Sequence, residues 1–417
     1  MSMTFAEKIL SAKAGLTTVR PGQIITIKPD VALSHDNTAA IYHIFKQMGA
    51  KRVKDPQQLA FFADHAAPAS STQHAENHRI TREFAIEQGV ENCFSVGRGI
   101  CHQVLVEEGL ALPGEVVLGA DSHTTHAGAM GAFGAGIGRS EMASVWALGH
   151  LWLMVPESLK IMVHGKLPLD VTSKDLALYV IGKLGADAAI YMSVEWHGEV
   201  VENLSLDARA VLSNISAELG AKNSYLPPNQ ATFNYLKGKA QRIYNPVYPD
   251  SEAVYARTKE FSADEIGPTV ACPHSVDNVR PLKEVAGIRI DQAFLGTCTN
   301  GRLEDLALAA AILEKHKVHP RTRFIVIPAS APIYIAALQA GYLETLAIAG
   351  ALIGPPGCGP CLGSHLGVPA EGEVTVSSAN RNFQGRMGTR ASKIYLASPA
   401  VVAASAVAGS LTHPGDL

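Results

Sequence analysis

The chain has 417 residues, of which 47% are hydrophobic and 18% charged, an ordinary balance for a globular protein of two or three domains. Its net charge of −3 gives no basic excess that would attract nucleic acids or anionic membranes. No apolar stretch reaches the ~20 residues of a membrane span, the N-terminus has no signal-peptide pattern, and six scattered cysteines form no disulfide framework. We therefore expect a reduced, cytoplasmic protein.

The first third of the chain alternates apolar runs with polar loops that contain histidine and aspartate. Helices are predicted over residues 5–14, 38–48 and 74–89 and again after Gln103, and strands over residues 22–28 and 116–119. The polar cluster at residues 34–38 can cap the helix that follows it. Loops after strands carry ligand chemistry in α/β proteins. The polar loops here contain His35, Asp36, Asp64, His65, His102, Asp121, Ser122 and His123.

The rest of the chain differs between its middle and its end. The middle, about residues 156–280, has predicted helices over 174–184 and 207–220 and an irregular stretch over 264–279 that we interpret as a linker or long loop. The end returns to strand–loop–helix order, with strands predicted over 290–295, 324–328, 346–353 and 374–377 and helices over 332–341 and 397–411. This recurring order indicates several α/β units that face a common centre.

Three cysteines in the last third form the strongest candidate for a chemical site. Cys298 lies in Gly-Thr-Cys-Thr-Asn-Gly-Arg (296–302), and Cys358 and Cys361 lie in Gly-Cys-Gly-Pro-Cys-Leu-Gly (357–363). Thiolates at this spacing, with a third brought from elsewhere, suit a metal ion or an iron–sulfur cluster. Three thiolates leave one coordination position open, as catalytic sites do. The alternative is a buried, inert Cys298 and a zinc-binding or redox pair formed by Cys358 and Cys361.

The two cysteine segments and the length between them resemble the cluster motif of the aconitase superfamily, and the resemblance extends from about residue 5 to 412. It implies a [4Fe–4S] cluster held by Cys298, Cys358 and Cys361. It implies an α/β fold of three domains around the cluster, 1–155, 156–280 and 281–417, without the swivelling domain of single-chain aconitases. It also implies a hydro-lyase that removes and adds water at a 2-hydroxy acid.

Water elimination needs a Lewis acid at the hydroxyl group, a base for the carbon-bound proton and an acid for the leaving oxygen. An aspartate beside a histidine fixes its tautomer, and positions four apart on a helix, such as Asn214 and Glu218, share one face. The resemblance implies catalytic roles for Asp64, His65, His102, Asp121, His123 and Glu218. It implies substrate contacts for His35, Asp36, Ser122, Asn214, Arg302, Arg381 and Arg386. The arginines can clamp carboxylates, or can form structural ion pairs instead.

Two departures from citrate-converting aconitases bear on the substrate and on the partner. Tyr334 and Gln339 occupy positions where those enzymes carry two arginines, which argues against citrate because two charge-assisted carboxylate contacts would be missing. The serine motif that supplies the proton-abstracting base from the swivelling domain has no counterpart in this sequence. We therefore expect the large subunit of a hetero-oligomer whose small swivel-domain subunit supplies that base.

The resemblance to two-subunit enzymes leaves the substrate open. Members of that branch act on 3-isopropylmalate in leucine biosynthesis, on homoaconitate in lysine biosynthesis or on 2,3-dimethylmalate, and we expect the first because that activity is the commonest. An RNA-binding regulator formed by cluster loss is a remote alternative, which the absence of a basic run disfavours. An electron-transfer protein is another, but such proteins normally use four cysteine ligands.

Overall fold

The computed structural model describes residues 2–417, and its first third is built on a parallel sheet. The elements of this part are α1 (Phe5–Lys13), β1 (Ile24–Ile27), β2 (Val31–Ser34), α2 (Thr38–Gln47), β3 (Leu59–Phe62), α3 (Thr72–Gln88), β4 (Asn92–Phe94), α4 (Cys101–Glu107), β5 (Val116–Gly119), β6 (Phe133–Gly136), α5 (Arg139–Leu148) and β7 (Leu151–Met154). The strands of the sheet pair in the order β4, β3, β2, β5 and β6, all in parallel, while β1 and β7 form a separate antiparallel pair.

Local sequence explains where these helices begin and end. The Thr4 hydroxyl accepts the backbone N–H of Glu7, and the Glu7 carboxylate accepts the backbone N–H of Thr4, so a capping box starts α1. Helix α3 ends at Gly89, whose φ of 72° is the left-handed conformation that glycine adopts without steric cost. The polar cluster before α2 does not cap it as predicted, because the Asn37 side chain makes no capping bond and turns to other partners.

The middle of the chain forms a second sheet, of four parallel strands. The elements are β8 (Ser158–His164), α6 (Ser173–Leu184), β9 (Ser193–His197), α7 (Glu199–Asn203), α8 (Leu206–Ile215), β10 (Asn223–Tyr225), α9 (Gln230–Leu236) and β11 (Arg257–Ser262). The strands pair in the order β10, β9, β8 and β11, and Trp196 of β9 and Ile161 of β8 are fully buried.

The last third forms a seven-stranded sheet. The elements are β12 (Thr269–Ala271), β13 (Val279–Pro281), α10 (Leu282–Val285), β14 (Gln292–Leu295), α11 (Leu303–Leu313), β15 (Arg323–Val326), α12 (Ala331–Gln339), α13 (Tyr342–Ala349), β16 (Leu352–Ile353), β17 (Val374–Ser377), β18 (Lys393–Leu396) and α14 (Pro399–Ala408). The strands pair in the order β13, β12, β18, β17, β14, β15 and β16. Strands β14 to β18 are parallel, and β12 and β13 add antiparallel pairs at one side.

The α/β fold class is confirmed, and three element predictions are wrong. The apolar run 346–353 is not one strand, because α13 continues to Ala349, Gly350 ends it in a left-handed conformation and only two residues pair as β16. Residues 264–279 are not a linker, because β12 lies within them and joins the third sheet. Residues 207–220 are not one helix, because α8 gives way to a 3₁₀ turn at Ser216–Leu219. The domain borders at 155 and 280 stay predictions.

No single helix among residues 2–417 is long and apolar enough to span a membrane, and α12 and α13 reach that length and composition only as a pair, across a bend of 81°.

A close joint between the first and last thirds of the chain lies next to α4. The Ile100 N–H donates to the Ala329 carbonyl at 2.8 Å, and the Ala331 N–H donates to the Arg98 carbonyl at 3.0 Å. Between these two bonds Gly99, with φ of 130°, forms a bridge with Ser330, and a Cβ at Gly99 would lie 2.5 Å from the Ser330 Cα. Glycine is therefore required here for the backbones to touch.

The joint predicts that Gly99→Ala destabilises the protein more than Gly97→Ala. Both glycines have positive φ, at 130° and 88°, so both substitutions carry the conformational penalty of about 1–2 kcal/mol. Only Gly99 would clash, since a Cβ at Gly97 meets no atom within 4 Å. We expect Gly99→Ala to lose about 1–3 kcal/mol more in unfolding free energy, measured by urea denaturation. Equal losses for the two variants would show that the close approach is not needed.

Candidate active site

One cavity of about 340 Å³ collects most of the predicted site residues. Its walls are loops that leave the carboxyl ends of strands in the first and third sheets, the position at which α/β proteins bind ligands. It is lined by His35, Asn37, His65, Ile100, His102, Ala120, Asp121, Ser122, His123, Ile137, Gly138, Arg139, Thr297, Cys298, Cys358, Cys361, Leu362, Asn380, Arg381 and Arg386.

The three predicted cysteines meet at this cavity. Cys298 follows β14, and Cys358 and Cys361 lie in and beside a 3₁₀ turn after β16, so two distant segments bring the sulfur atoms together. All three are buried, and none is in a disulfide. Before Cys298, Thr297 has φ of 77°, a strained conformation for a β-branched residue. The backbone here is therefore held in an uncommon shape at the point where Cys298 enters the cavity.

Side-chain N–H groups point at the sulfur atoms. The Asn214 amide donates to Cys298 Sγ at 3.2 Å and the Asn380 amide donates to the same atom at 3.4 Å. The Arg386 guanidinium donates to Cys361 Sγ at 3.4 Å. Such donors stabilise sulfur that carries negative charge. The site therefore presents its thiols in the way that suits thiolate ligands.

Burial alone would keep the thiols of Cys298 and Cys358 protonated. It raises the pKa of the Cys298 thiol to about 12, and it also raises the pKa of Cys358, where His65 opposes the effect. A metal must displace the thiol proton in order to bind, and thiolate ligands become stable once the metal charge is present. The three buried thiols could accordingly hold a metal ion or cluster, and side-chain N–H groups already donate to two of the three sulfur atoms.

Two aspartate–histidine pairs line or adjoin the same cavity. Asp64 Oδ1 lies 2.7 Å from His65 Nδ1, while Asp64 Oδ2 accepts the backbone N–H of Cys101 at 2.7 Å. Asp121 Oδ1 lies 2.8 Å from His102 Nε2 and accepts the backbone N–H of His123 at 2.7 Å. Each carboxylate thus fixes the orientation of one imidazole ring.

The charges of these groups follow from their neighbours. Although burial alone would lower it, the pKa of His65 is raised well above its usual range by Asp64 and Cys358. The His35 ring stacks on His65 with centroids 4.1 Å apart, and burial together with the His65 charge lowers the pKa of His35 to about 4. Burial would raise the pKa of Asp121, yet hydrogen bonds from His102 and His123 hold it well below the usual range.

A third acid–histidine pair extends to an arginine. His123 Nε2 lies 2.7 Å from Glu218 Oε1, and Arg381 Nε donates to both oxygens of Glu218 at 2.8 and 3.0 Å. Arg381 Nη2 also donates to the Ser122 hydroxyl at 2.9 Å. Burial would raise the pKa of Glu218, but His123 and Arg381 lower it. Glu218 is therefore a charged group directly behind the cavity wall.

Three of the predicted substrate contacts are placed elsewhere by the structure. Arg302 is buried and donates to the backbone carbonyls of Cys298, Thr299 and Asp207, so it supports the Cys298 loop. Asp36 accepts the backbone N–H groups of residues 64, 65 and 66 and contacts His78, so it supports the Asp64–His65 loop. Asn214 is likewise occupied by Cys298 Sγ. Each of these side chains spends polar atoms on protein partners and supports the loops of the site, and a substrate contact for any of the three stays a prediction.

Other site residues were not predicted. Asn380 contacts Cys298, lines the cavity and lies one position before Arg381, which the sequence predicted as a substrate contact. Asn37 donates to the Ala120 carbonyl at 2.7 Å and lies 3.0 Å from His35 Nε2, and its place beside His35 was the available signal. Among the described residues that line the cavity, Tyr334 and Gln339 are not included. The cavity walls therefore do not support the prediction that citrate is disfavoured.

Comparison with known proteins shows which family the sequence matches. The sequence matches the Aconitase family (aconitate hydratase) over residues 7–287 and 283–409. It is 50% identical over 415 residues to the 3-isopropylmalate dehydratase large subunit 1 of Methanopyrus kandleri, with 99% of each chain covered. It is 47% identical over 419 residues to the 3-isopropylmalate dehydratase large subunit of Moorella thermoacetica, with 100% of each covered. A probable methanogen homoaconitase large subunit of Methanothermobacter thermautotrophicus is 46% identical over 419 residues, with 99% of this chain and 98% of that one covered.

A solved structure supports the fold. The holo-form of Thermococcus kodakaraensis aconitase X matches with a TM-score of 0.52 at 13% identity, over 86% of this chain and 84% of that one. Fold and site together define an α/β enzyme with an acid–base centre beside three buried thiols. The chain belongs to the aconitase family. The predicted family and the predicted hydro-lyase class are confirmed.

The position of Arg302 predicts that it controls access to Cys298. Arg302→Met leaves buried carbonyls without a donor, at about 1–3 kcal/mol for each group, so the Cys298 loop should open more often. In the metal-free chain we expect a thiol reagent to label Cys298 roughly 5- to 100-fold faster, followed by mass spectrometry of the peptides. Arg209→Met, which likewise removes a buried guanidinium from two backbone carbonyls but lies outside the cavity, is the matched control and should leave the rate unchanged. An unchanged rate in Arg302→Met would contradict the supporting role.

Proposed function

We propose that this chain is the large subunit of a [4Fe–4S] hydro-lyase, and that the enzyme is a 3-isopropylmalate dehydratase. The observation that carries the proposal is the convergence of three free, buried thiols and three carboxylate–histidine pairs on one cavity. Full-length relatives at 44–50% identity bear the name 3-isopropylmalate dehydratase large subunit, which supports the substrate. The chemistry is reversible removal of water from a 2-hydroxy acid.

Cys298, Cys358 and Cys361 are the proposed ligands of the cluster. The fit rests on their donor set, because Asn214, Asn380 and Arg386 donate to two of the three sulfur atoms and would offset the charge of bound thiolates. When bound, the cluster supplies a Lewis acid, since three cysteines leave one of its irons without a protein ligand.

The residues of the chain would then handle the leaving oxygen and the carboxylates. Asp64 holds His65 Nδ1, so His65 Nε2, which lies 4.0 Å from Asp121 Oδ2, would give a proton to the departing hydroxyl. His102 and His123, held by Asp121 and Glu218, would keep a proton available near the same oxygen. His35 and Ser122 provide polar contacts in the cavity wall. Arg381 and Arg386, the cavity arginines of the third sheet, would bind the substrate carboxylates.

The second candidate is a homoaconitase. It is favoured by relatives named probable methanogen homoaconitase large subunit, at 46% and 49% identity. The two candidates share the same reaction and differ in the substituent on the hydroxy acid. The assembled enzyme assayed on 3-isopropylmalate and on homocitrate separates them, and a higher kcat/KM for homocitrate would overturn our choice of substrate.

The proposed cluster predicts a division among the six cysteines. Anaerobic reconstitution followed by iron and sulfide analysis should give a full cluster in the wild type and a loss of iron in Cys298→Ala, Cys358→Ala and Cys361→Ala. Cys93→Ala and Cys272→Ala are the controls and should retain iron, because those residues do not line the cavity. A complete cluster in Cys298→Ala would remove that residue from the ligand set. Activity that survives oxidation and chelation would argue against the cluster altogether.

The acid–base assignment predicts a large effect of His65→Asn on turnover. Loss of a general acid typically costs about 10²–10⁴-fold, so kcat should fall by about that amount while the iron content stays unchanged. His316→Asn, a histidine outside the cavity, is the control and should keep the wild-type rate. Wild-type turnover by His65→Asn would show that another group protonates the leaving oxygen.

The proposed partner predicts that the chain alone is inactive. We propose that a small swivel-domain subunit supplies the base for the carbon-bound proton and closes the cavity, which strengthens electrostatic contacts by excluding water. Its docking face would surround the cavity mouth and bury at least about 1,000 Å² in total. The cluster-loaded chain should show no turnover of 3-isopropylmalate until the small subunit is added. Full turnover by the isolated chain would contradict the two-subunit proposal.

A further inference from the structure

Lys174 is a fully buried lysine at the start of α6 in the middle of the chain. Its ammonium group donates to the carbonyl oxygen of Ser378 at 3.0 Å and to that of Ala379 at 2.6 Å. These two carbonyls belong to the turn that follows β17 of the third sheet. A side chain from one sheet unit therefore holds a turn that belongs to another.

The turn held by Lys174 carries two residues of the site. Asn380 donates to Cys298 Sγ at 3.4 Å and to Asn214 Oδ1 at 3.3 Å. Arg381, the next residue, binds Glu218 and Ser122. A change in the backbone at 378–379 would consequently move an amide that contacts a sulfur atom and a guanidinium that lines the cavity.

A lysine is suited to this position by its shape and its donors. The ammonium group has three donors and no acceptor, and its long stem lets it reach two carbonyls from a helix. Burial of a charge is costly, and burial lowers the pKa of Lys174 to about 7, while the charges of Cys298 and Glu218 oppose that effect. Burial therefore weakens the positive charge of Lys174, and the charges of Cys298 and Glu218 restore it only in part, so it is the geometry of the two carbonyl contacts that assigns the role of this side chain.

We propose that Lys174 is a positioning residue, whose ammonium fixes the turn at 378–379 and thereby aims Asn380 at Cys298 and Arg381 at the cavity. The inference rests on the proposed function, because it gives Asn380 and Arg381 a role beside the cluster and the substrate. Lys174 itself touches neither, since it does not line the cavity.

The test uses two variants and a matched control. Lys174→Met keeps the length of the stem and removes the donors, and Lys174→Gln keeps a shorter amide donor should the first variant fold poorly. Lys317→Met is the control, because Lys317 also donates to one backbone carbonyl, that of Ile348 at 2.8 Å, on the surface. Hydrogen exchange of peptides covering 378–386 is measured in the metal-free chain, with the melting temperature as a check of the fold.

Three further measurements use the cluster-loaded chain with its small subunit. They are the electron paramagnetic resonance spectrum and the reduction potential of the cluster, and kcat on 3-isopropylmalate. We expect Lys174→Met to speed exchange at 378–386, because the turn loses its donor. We also expect it to change the spectrum and make the potential more negative, because Asn380 would then donate less well to Cys298 Sγ and the positive charge that Lys174 carries would be lost. We expect kcat to fall roughly 10- to 100-fold, since small misplacements near a site have effects of that size.

A double-mutant cycle shows whether the effect passes through the turn. If Lys174 acts through Arg381, then Lys174→Met should lower kcat less in the Arg381→Lys background than in the wild type. Lys174→Gln should give smaller changes of the same sign, and Lys317→Met none.

Exchange, spectrum and potential that match the wild type in both Lys174 variants would overturn the inference, even if activity fell. Fully additive effects with Arg381→Lys would overturn it as well. These outcomes differ from failure of the proposed function, which would appear as a wild-type chain that binds no cluster or turns over no hydroxy acid. The hydrogen-exchange measurement needs neither cluster nor activity, so it decides the role of Lys174 in either case.

Discussion

The site depends on one buried amide, the side chain of Asn214. Its nitrogen donates to Cys298 Sγ at 3.2 Å and lies 3.3 Å from His126 Nδ1, while its oxygen accepts the Thr299 hydroxyl at 3.0 Å and the Asn380 amide at 3.3 Å. Both ends of the amide are satisfied in only one orientation, so the donor to sulfur is fixed. Because α8 supplies this residue and the third sheet supplies the sulfur, the amide also joins two parts of the chain.

The buried carboxylates of the site are tolerable because each has a donor partner. Asp64, Asp121 and Glu218 face His65, His102 and His123 at 2.7 to 2.8 Å, and burying unpaired charges would be costly. The stacked rings of His35 and His65 differ in charge, since two adjacent imidazolium groups would repel one another. The result is one ring that carries a proton beside Cys358 and one that serves as a neutral neighbour. Such a separation of titration behaviour is typical of acid–base sites.

The sequence allowed prediction of those site residues whose role follows from their immediate neighbours. Cys358 and Cys361 are separated by two residues, the spacing that metal-binding cysteines require, and Asp64 adjoins His65, so short-range patterns sufficed. The supporting contacts of Arg302 were not predicted, because the sequence does not show that its guanidinium returns to the carbonyls of its own loop. Those of Asp36 were missed for the same reason, since its partners lie about thirty residues further on. The apolar run 346–353 was predicted as one strand because hydrophobicity alone does not separate the end of α13 from the start of β16.

The conformation of Thr297 shows how the fold orients the Cys298 thiol. A β-branched residue at φ of 77° costs of order 1–3 kcal/mol, and an isolated loop would relax from it. Here the loop closes through a bridge between Gly296 and Asn300, and the Ser378 hydroxyl bonds with the backbone of both residues. The Arg302 guanidinium, at the start of α11, donates further hydrogen bonds to the carbonyls of Cys298 and Thr299. These contacts offset the strain only in the folded domain, so the direction of Cys298 is set by β14, β17 and α11 together. Bonds from three separate elements therefore hold the Cys298 loop in the conformation that brings this thiol beside the other two.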